Sequence, residues 1–396
     1  LRNRLALAPG PTASARAMLI AVLAVMCGTF LVAPTLGLEE LRWPTPRDVL
    51  TTLVLVGGAL GLSVALPGRQ AGPMTQCGYV PLYHKHGLPY FLLWLAMFEA
   101  GCATGLWSAR VWADTFVGVD VLLQGGALAL CAYLHERPDR VPAPHAPGVR
   151  GFFWGRSLHP RIRGFDVKQM VNSRIGMMYW ALLALSYVHV RPADVPLACC
   201  AASQLLYIGK FFAWERGYFY TLDIMHDRAG YYLLWGCLVW VPHLYALPTR
   251  ALVIYGSSLS DGAALALFGV AATATALNYQ VDLERRRFRD DPDSSHRSIP
   301  MTYRQDGEAV RTRFLVDGWW GRARHVNYFF ELVAAWCWGG FAGSAAGGWP
   351  FVYPTFLTVL LFHRIIRDEA RCALKYGDDY AAYRAIVPYR LVPGVV

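Results

Sequence analysis

Four groups of residues in this 396-residue chain have the types and spacing to do chemistry. The first lies near the C terminus: His363-Arg364-Ile365-Ile366-Arg367-Asp368-Glu369, then Lys375-Tyr376, Tyr380 and Tyr383. On a helix, Arg364, Arg367, Asp368 and Arg371 occupy neighbouring faces at i, i+3 and i+4, and the three tyrosines share that spacing. Guanidinium forks grip phosphate oxygens and tyrosine faces stack on flat rings, so the set can hold a dinucleotide. It can equally be the basic, aromatic flank of a membrane-spanning helix. A second group runs from Gly318-Trp319-Trp320 through Arg324-His325 to Asn327-Tyr328, with Glu331 four residues beyond Asn327 inside an apolar run. Arg324 and His325 stand where a pyrophosphate can be gripped. A carboxyl at membrane depth is costly and marks a cavity or a proton path. Asn278, Gln280, Asp282 and Arg285 form a third polar group at the end of another apolar run. The fourth is Asp223, His226 and Asp227, read as one helical face ahead of Tyr231, Trp235, Trp240 and Tyr245. Acid and imidazole beside an aromatic-lined span suit general acid catalysis on a bulky apolar ligand, or simple interfacial anchoring.

The elements that must position these groups are membrane spans. A span needs ~20 apolar residues. Candidates lie at 17–37, 48–66, 88–107, 115–134, 176–192, 196–213, 229–246, 251–277, 328–346 and 350–366. Ten spans put both ends of the chain on one side. Of the 37 Lys and Arg residues, 32 fall on that shared side, and only Arg42, Arg47, Arg110, Arg191 and Arg250 fall on the other. The positive-inside rule makes the crowded side cytoplasmic. The expectation is therefore an all-α, polytopic integral membrane bundle of about ten transmembrane helices with both termini cytoplasmic. It divides into N-terminal spans (1–66), a central bundle with cytoplasmic loops (67–278) and a C-terminal half (279–396).

Composition agrees. Only 16% of residues are charged, 55% are hydrophobic and 14% aromatic, against ~25% charged in soluble domains. The net charge of +10 is explained by topology, so no nucleic-acid partner is expected. The nine cysteines show no CxxC pair and no cysteine–histidine cluster, which excludes a disulfide framework and a metal site as expectations. No cleavable leader is expected at the first apolar run. Neither GxGxxG nor GxxxxGK[ST] occurs, so any nucleotide is held without a Rossmann fold or P-loop.

Taken in order, several segments resemble the sterol reductase family. They are Gly78-Tyr79-Val80-Pro81-Leu82-Tyr83, Phe152-Phe153-Trp154-Gly155, Pro160-Arg161-Ile162, Phe165-Asp166-Val167-Lys168 and Leu222-Asp223-Ile224 with His226-Asp227. Trp235-Gly236, Ala323-Arg324-His325, Asn327-Tyr328 and the tail from His363 to Pro393 complete the likeness, which is nearer the Δ7 branch than the Δ14 branch. The resemblance implies NADPH bound at the cytoplasmic end of the second half by Arg285, Trp320, Asn327, Tyr328, Arg364, Asp368, Tyr380 and Tyr383, to which the residue types add Arg324, His325, Arg367 and Tyr376. It implies reduction of a ring double bond, Δ7 of 7-dehydrocholesterol-like sterols, within sterol and cholesterol biosynthesis. A general acid protonates one alkene carbon and hydride quenches the cation. Glu331, Asp227 or Asp223 can be that acid, with His226 or a tyrosine as relay. The sterol and the lipid bilayer are the expected partners. The expected membrane is the endoplasmic reticulum in a eukaryote and the inner membrane in a bacterium. Val281 stands where the family pattern has lysine, and Cys237 where it has aspartate. The alternatives are a Δ14- or side-chain sterol reductase, a catalytically altered sterol-binding protein, and, more remotely, an isoprenylcysteine-methyltransferase-like enzyme.

Overall fold

The computed structural model describes residues 42–75, 78–138, 148–305 and 308–395. The expected span at 17–37 lies outside them. In chain order the main elements are α1 (Pro46–Ala65), β1 (Arg69–Ala71), β2 (Leu82–His84), α2 (Gly87–Ala103) and α3 (Phe116–Glu136). Then come β3 (Arg161–Ile162), β4 (Phe165–Asp166) and α4 (Met178–Val190), the last entered through a π-helical stretch at Met170–Met177. They are followed by α5 (Val195–Ala213) and α6 (Tyr231–Tyr255), which carries a second π-helical stretch at Gly236–Trp240. The chain ends with α7 (Asp261–Asp290), β5 (Ser298–Gln305), β6 (Glu308–Leu315), α8 (Val326–Gly340), α9 (Val352–Tyr376) and α10 (Asp378–Ile386).

Among the described residues, six helices are long and apolar enough to cross a membrane: Pro46–Ala65, Phe116–Glu136, Val195–Ala213, Tyr231–Tyr255, Asp261–Asp290 and Trp349–Tyr376. Gly87–Ala103 is apolar but shorter. Local chemistry sets the ends. Thr45 and Asp48 form a reciprocal capping box on α1, with Pro46 in the first turn, where its missing N–H costs nothing. Ser260 caps α7, and Asp261 in its first turn complements the helix dipole.

Two departures from the sequence reading have clear causes. The break expected between 246 and 251 lies instead at residues 256–260, so the two spans there run 231–255 and 261–290 rather than 229–246 and 251–277. Pro248 sits in the second position of a local helical turn, where proline is tolerated. The true stop is Gly256, at φ +73°, followed by the serine cap. The second departure lies in the segment that follows the expected span 251–277. There α7 runs on to Asp290, and β5 and β6 then pair antiparallel from Ser298↔Leu315 to Gln305↔Glu308. Asp291-Pro292-Asp293 makes the turn between α7 and β5.

The described residues form two compact units, those up to 194 with 208–254 and those at 195–207 with those from 255 onward. In the first, α1 packs on α3 and the two π-helical stretches pack on each other. Gly176 permits that approach, since a Cβ there would strike the Cys237 carbonyl oxygen. In the second, α7 lies along α8, and α8 along α9. Its core holds Val281, Phe288, Leu315, Trp320, Ala323, Val326 and Phe330. A neighbouring cluster joins Met301, Val316, Tyr380, Tyr383 and Val387.

Candidate functional site

In the second unit, the ends of α7, α8 and α9, with α10 and the tail, bring the expected cofactor residues together. The Arg285 guanidinium lies 4.1 Å from the Trp320 ring centroid. The indole is pinned by Nε1 donating to the Val281 carbonyl at 2.8 Å. Asn278 Nδ2 donates to the Asn327 carbonyl at 2.8 Å, and Asn327 Nδ2 donates to Asp282 Oδ1 at 3.2 Å. Those bonds lock the last turns of α7 to the start of α8. Arg285 also pairs with Asp282 at 3.8 Å. In the first turn of α8, Tyr328 stacks on His325 with centroids 5.6 Å apart. Arg364, Asp368 and Arg285 all lie within electrostatic reach of Tyr328.

Arg324 and His325 behave differently from each other. The sequence reading set Arg324 at a pyrophosphate. The structure engages it inside the chain: Nε and Nη2 donate to Glu369 Oε1 at 2.8 and 2.7 Å, and Nη1 donates to the Val387 and Pro388 carbonyls at 2.6 and 2.8 Å. Arg390 completes the clasp at 3.0 Å from Glu369 Oε2. The backbone follows, with Arg324 and His325 N–H groups bonded to the Tyr389 and Arg390 carbonyls at 3.0 and 2.8 Å. Arg324 thus fastens the tail to α8 and α9. His325 is buried with Nε2 unpartnered among the described residues. Burial is the main cause that draws its pKa down to about 4, with Arg285 and Arg324 adding to it and Asp368 and Glu369 opposing.

Arg371 pairs with Asp368 at 2.7 Å. Tyr376 packs against Tyr303 and Phe314 of the hairpin, and Lys375 Nζ lies 3.7 Å over the Tyr303 ring. Tyr380 and Tyr383 are buried beside Met301 and Val387, and burial raises the Tyr383 phenol to about 12. Arg367 lies on α9 three residues beyond Arg364. Glu331 accepts a hydrogen bond from Tyr207 at 3.1 Å, one turn along α8 from Asn327.

The first unit holds the other acid candidates, and here the single-face reading fails. The helix carrying Asp223 stops at Met225; His226 is its exposed cap, and Asp227 lies beyond it. A lysine of the first unit holds the backbone there. Lys168 is fully buried, and its Nζ donates to the Asp223, Ile224 and Asp227 carbonyls at 2.9, 2.7 and 2.8 Å. It satisfies carbonyls that a short helix leaves open. Burial lowers the Lys168 pKa to about 8 against the pull of Asp166, Asp227 and Asp223. Asp166 is itself buried, with Oδ2 unpartnered among the described residues and its pKa raised by burial. Nearby, Arg174 and Glu215 form a buried two-pronged ion pair at 2.5 and 3.0 Å. No signal in spacing marks Lys168 or Glu215, because their partners are backbone carbonyls or lie 41 residues away. No metal-binding cluster occurs among the described residues.

Comparison with known proteins bears directly on this arrangement. The model of the ergosterol biosynthesis ERG4/ERG24 family matches residues 141–396. The chain is 33% identical to a 7-dehydrocholesterol reductase of Arabidopsis thaliana, over 89% of this chain and 86% of that one. It is 32% identical to a Δ14-sterol reductase of Methylotuvimicrobium alcaliphilum, over 79% and 74%. A 7-dehydrocholesterol reductase of Xenopus laevis is also 32% identical, over 83% and 73%. The chain is therefore an integral membrane protein that belongs to the ERG4/ERG24 family of sterol reductases.

Proposed function

We propose that this protein reduces the Δ7 ring double bond of a 7-dehydrocholesterol-like sterol with NADPH, from a ten-span bundle with both termini cytoplasmic. What carries the cofactor reading is the convergence of Arg285 on Trp320, buried His325, Tyr328, Arg364 and Asp368 at one end of the second unit. The donor set fits an anionic dinucleotide: cations for phosphate, aromatic faces for a ring, and a buried imidazole nitrogen with no partner among the described residues. Arg285, Trp320, His325, Asn327, Tyr328, Arg364 and Arg367 would hold the cofactor, with Tyr376, Tyr380 and Tyr383 walling the site. NADPH, when bound, supplies hydride. The chain's own part is to orient, to exclude water and to deliver a proton. Glu331, hydrogen-bonded to Tyr207 and one turn from Tyr328, is the donor that shares a unit with these residues. Arg324 acts as a fastener. Asp223 and Asp227 are held in place by Lys168, with exposed His226 beside them.

The Δ7 assignment rests on the sequence segments named above and on the breadth of the similarity to the Arabidopsis 7-dehydrocholesterol reductase. The nearly equal identity to a Δ14-sterol reductase supports Δ14 reduction as the second reading. The test is paired. Glu331→Gln keeps NADPH affinity and loses turnover by about 10²–10⁴-fold, whereas Arg285→Ala weakens NADPH binding first. Unchanged turnover in Glu331→Gln would remove the acid from the account.

A further inference from the structure

The first unit carries a cavity of about 370 Å³ that none of the residues above lines. It opens where α1 ends, with Val64, Leu66 and Pro67 on one side. Because α1 is long and apolar enough to cross a membrane, its end is where hydrocarbon gives way to head groups. The rest of the lining includes two arginines, Arg69 and Arg163. Arg69 is paired with His84 across the β1–β2 hairpin, and Phe165 stacks on the His84 ring with centroids 5.5 Å apart. Arg163 lies in the two-residue loop that joins β3 to β4. Both loop residues, Arg163 and Gly164, have positive φ, +49° and +88°. Asparagine and glycine adopt that geometry most easily, and a long side chain there is strained. Among the described residues no other non-glycine residue has positive φ. Arg161 clasps the loop, donating to the Leu82 and Gly164 carbonyls at 2.8 and 2.6 Å. Strain of this kind, held by its surroundings at the lip of a cavity, points to a use for the cation. Arg69 and Arg163 are both exposed, and among the described residues neither forms an ion pair.

We infer that this cavity seats the phosphate group of an anionic phospholipid. Two guanidinium groups in a lining without a carboxylate select negative charge, and their forks suit phosphate oxygens. A choline or ethanolamine head group brings a cation of its own, which the arginines oppose; a glycerol head group does not. The apolar wall decides between a lipid and a free phosphate. Val64 is 72% exposed, and Leu60 and Leu53 continue the same helical face at 40% and 63%. Acyl chains can lie along that face while the phosphate stays between the arginines. A basic pocket beside a spanning helix is suited to an anionic head group for the same reason. The bound lipid would tie the end of α1 to the β1–β2 and β3–β4 hairpins, since all three line the cavity.

The test titrates the full chain, purified in detergent and stripped of lipid, with dioleoyl-phosphatidylglycerol, dioleoyl-phosphatidylcholine and soluble glycerol 3-phosphate. It reads bound lipid by native mass spectrometry and the rise in unfolding temperature. Phosphatidylglycerol should bind and raise the unfolding temperature. Phosphatidylcholine should bind at least roughly five-fold more weakly, and glycerol 3-phosphate should give no shift. Arg69→Gln and Arg163→Gly should each weaken phosphatidylglycerol binding roughly five-fold. Arg163→Gly also separates binding from folding: glycine takes positive φ freely, so its lipid-free unfolding temperature should stay close to wild type. Arg150→Gln changes an exposed arginine of the same unit outside the cavity and should bind as wild type does. An equal loss in Arg150→Gln, or equal binding of the two lipids, overturns the proposal, because net charge or apolar contact alone then accounts for binding. An equal shift with glycerol 3-phosphate overturns the lipid as occupant. No bound phosphatidylglycerol overturns the site.

Discussion

Replacing Glu369 with alanine removes the acceptor of three hydrogen bonds, two from Arg324 and one from Arg390. The two arms are unequal. The Arg390 side chain is 49% exposed, so solvent screens its pair and its loss costs about 0–1 kcal/mol. The Arg324 side chain is only 4% exposed. Without Glu369 its charge is buried and unpaired, which costs about 3–5 kcal/mol. The Arg324 arm therefore decides the outcome. Removing both charges, with Arg324→Met and Glu369→Leu together, should be less damaging than Glu369→Ala alone. It will not restore wild type, because the Val387 and Pro388 carbonyls lose their donor, at about 1–3 kcal/mol each if they stay buried. Thermal unfolding of the detergent-purified variants, set out as a double-mutant cycle, measures the coupling. NADPH titration of the same samples shows whether the tail clasp shapes the cofactor site. Unfolding of Glu369→Ala at the wild-type temperature, or single effects that simply add, would mean that Arg324 is not left stranded.

Three further outcomes follow from the same geometry. His325 has a folded-state pKa near 4, below the ordinary 6.5, so its contribution to stability is fully present above pH 6.5 and is lost as pH falls toward 4. His325→Gln should flatten that part of the stability-versus-pH curve, and an unchanged slope would count against a buried neutral imidazole. Arg285→Lys should raise the NADPH dissociation constant nearly as much as Arg285→Ala, because an ammonium cannot lie flat on Trp320 and fork to phosphate together; full rescue by lysine would point to charge alone. Lys168→Met should destabilise the first unit by several kcal/mol by orphaning three carbonyls, seen as faster amide exchange at residues 223–227. Wild-type exchange rates there would contradict the clamp.

How much was legible in the sequence depended on the range of the interaction. The apolar runs that became α1, α3 and α5 could be placed to within a few residues, because burial in lipid leaves a length signature. Arg285, Trp320, Asn327, Tyr328, Arg364 and Asp368 stood out in the sequence by charge, aromaticity and family resemblance, and that they hold a cofactor is a proposal. The α6–α7 break was missed because Pro248 looks like a stop until its position in a local turn is known. The β5–β6 hairpin left a signal that went unread: alternating Ile299, Met301 and Tyr303 facing Val310, Thr312 and Phe314. Glu369 and Lys168 were invisible as to role. Their partners lie far off in sequence or are backbone, and only the fold decides whether a charge meets water, a carbonyl or an aromatic face.

The central claim is Δ7 reduction by NADPH, and it is tested most directly with purified protein, 7-dehydrocholesterol and NADPH, following the conjugated-diene absorbance. The account predicts NADPH-dependent loss of the diene, faster than reduction of a Δ14 sterol offered in parallel and abolished by Glu331→Gln. A diene that persists while the Δ14 sterol is consumed would contradict the Δ7 assignment. A protein that binds no NADPH and reduces neither sterol would contradict the reading of the site itself.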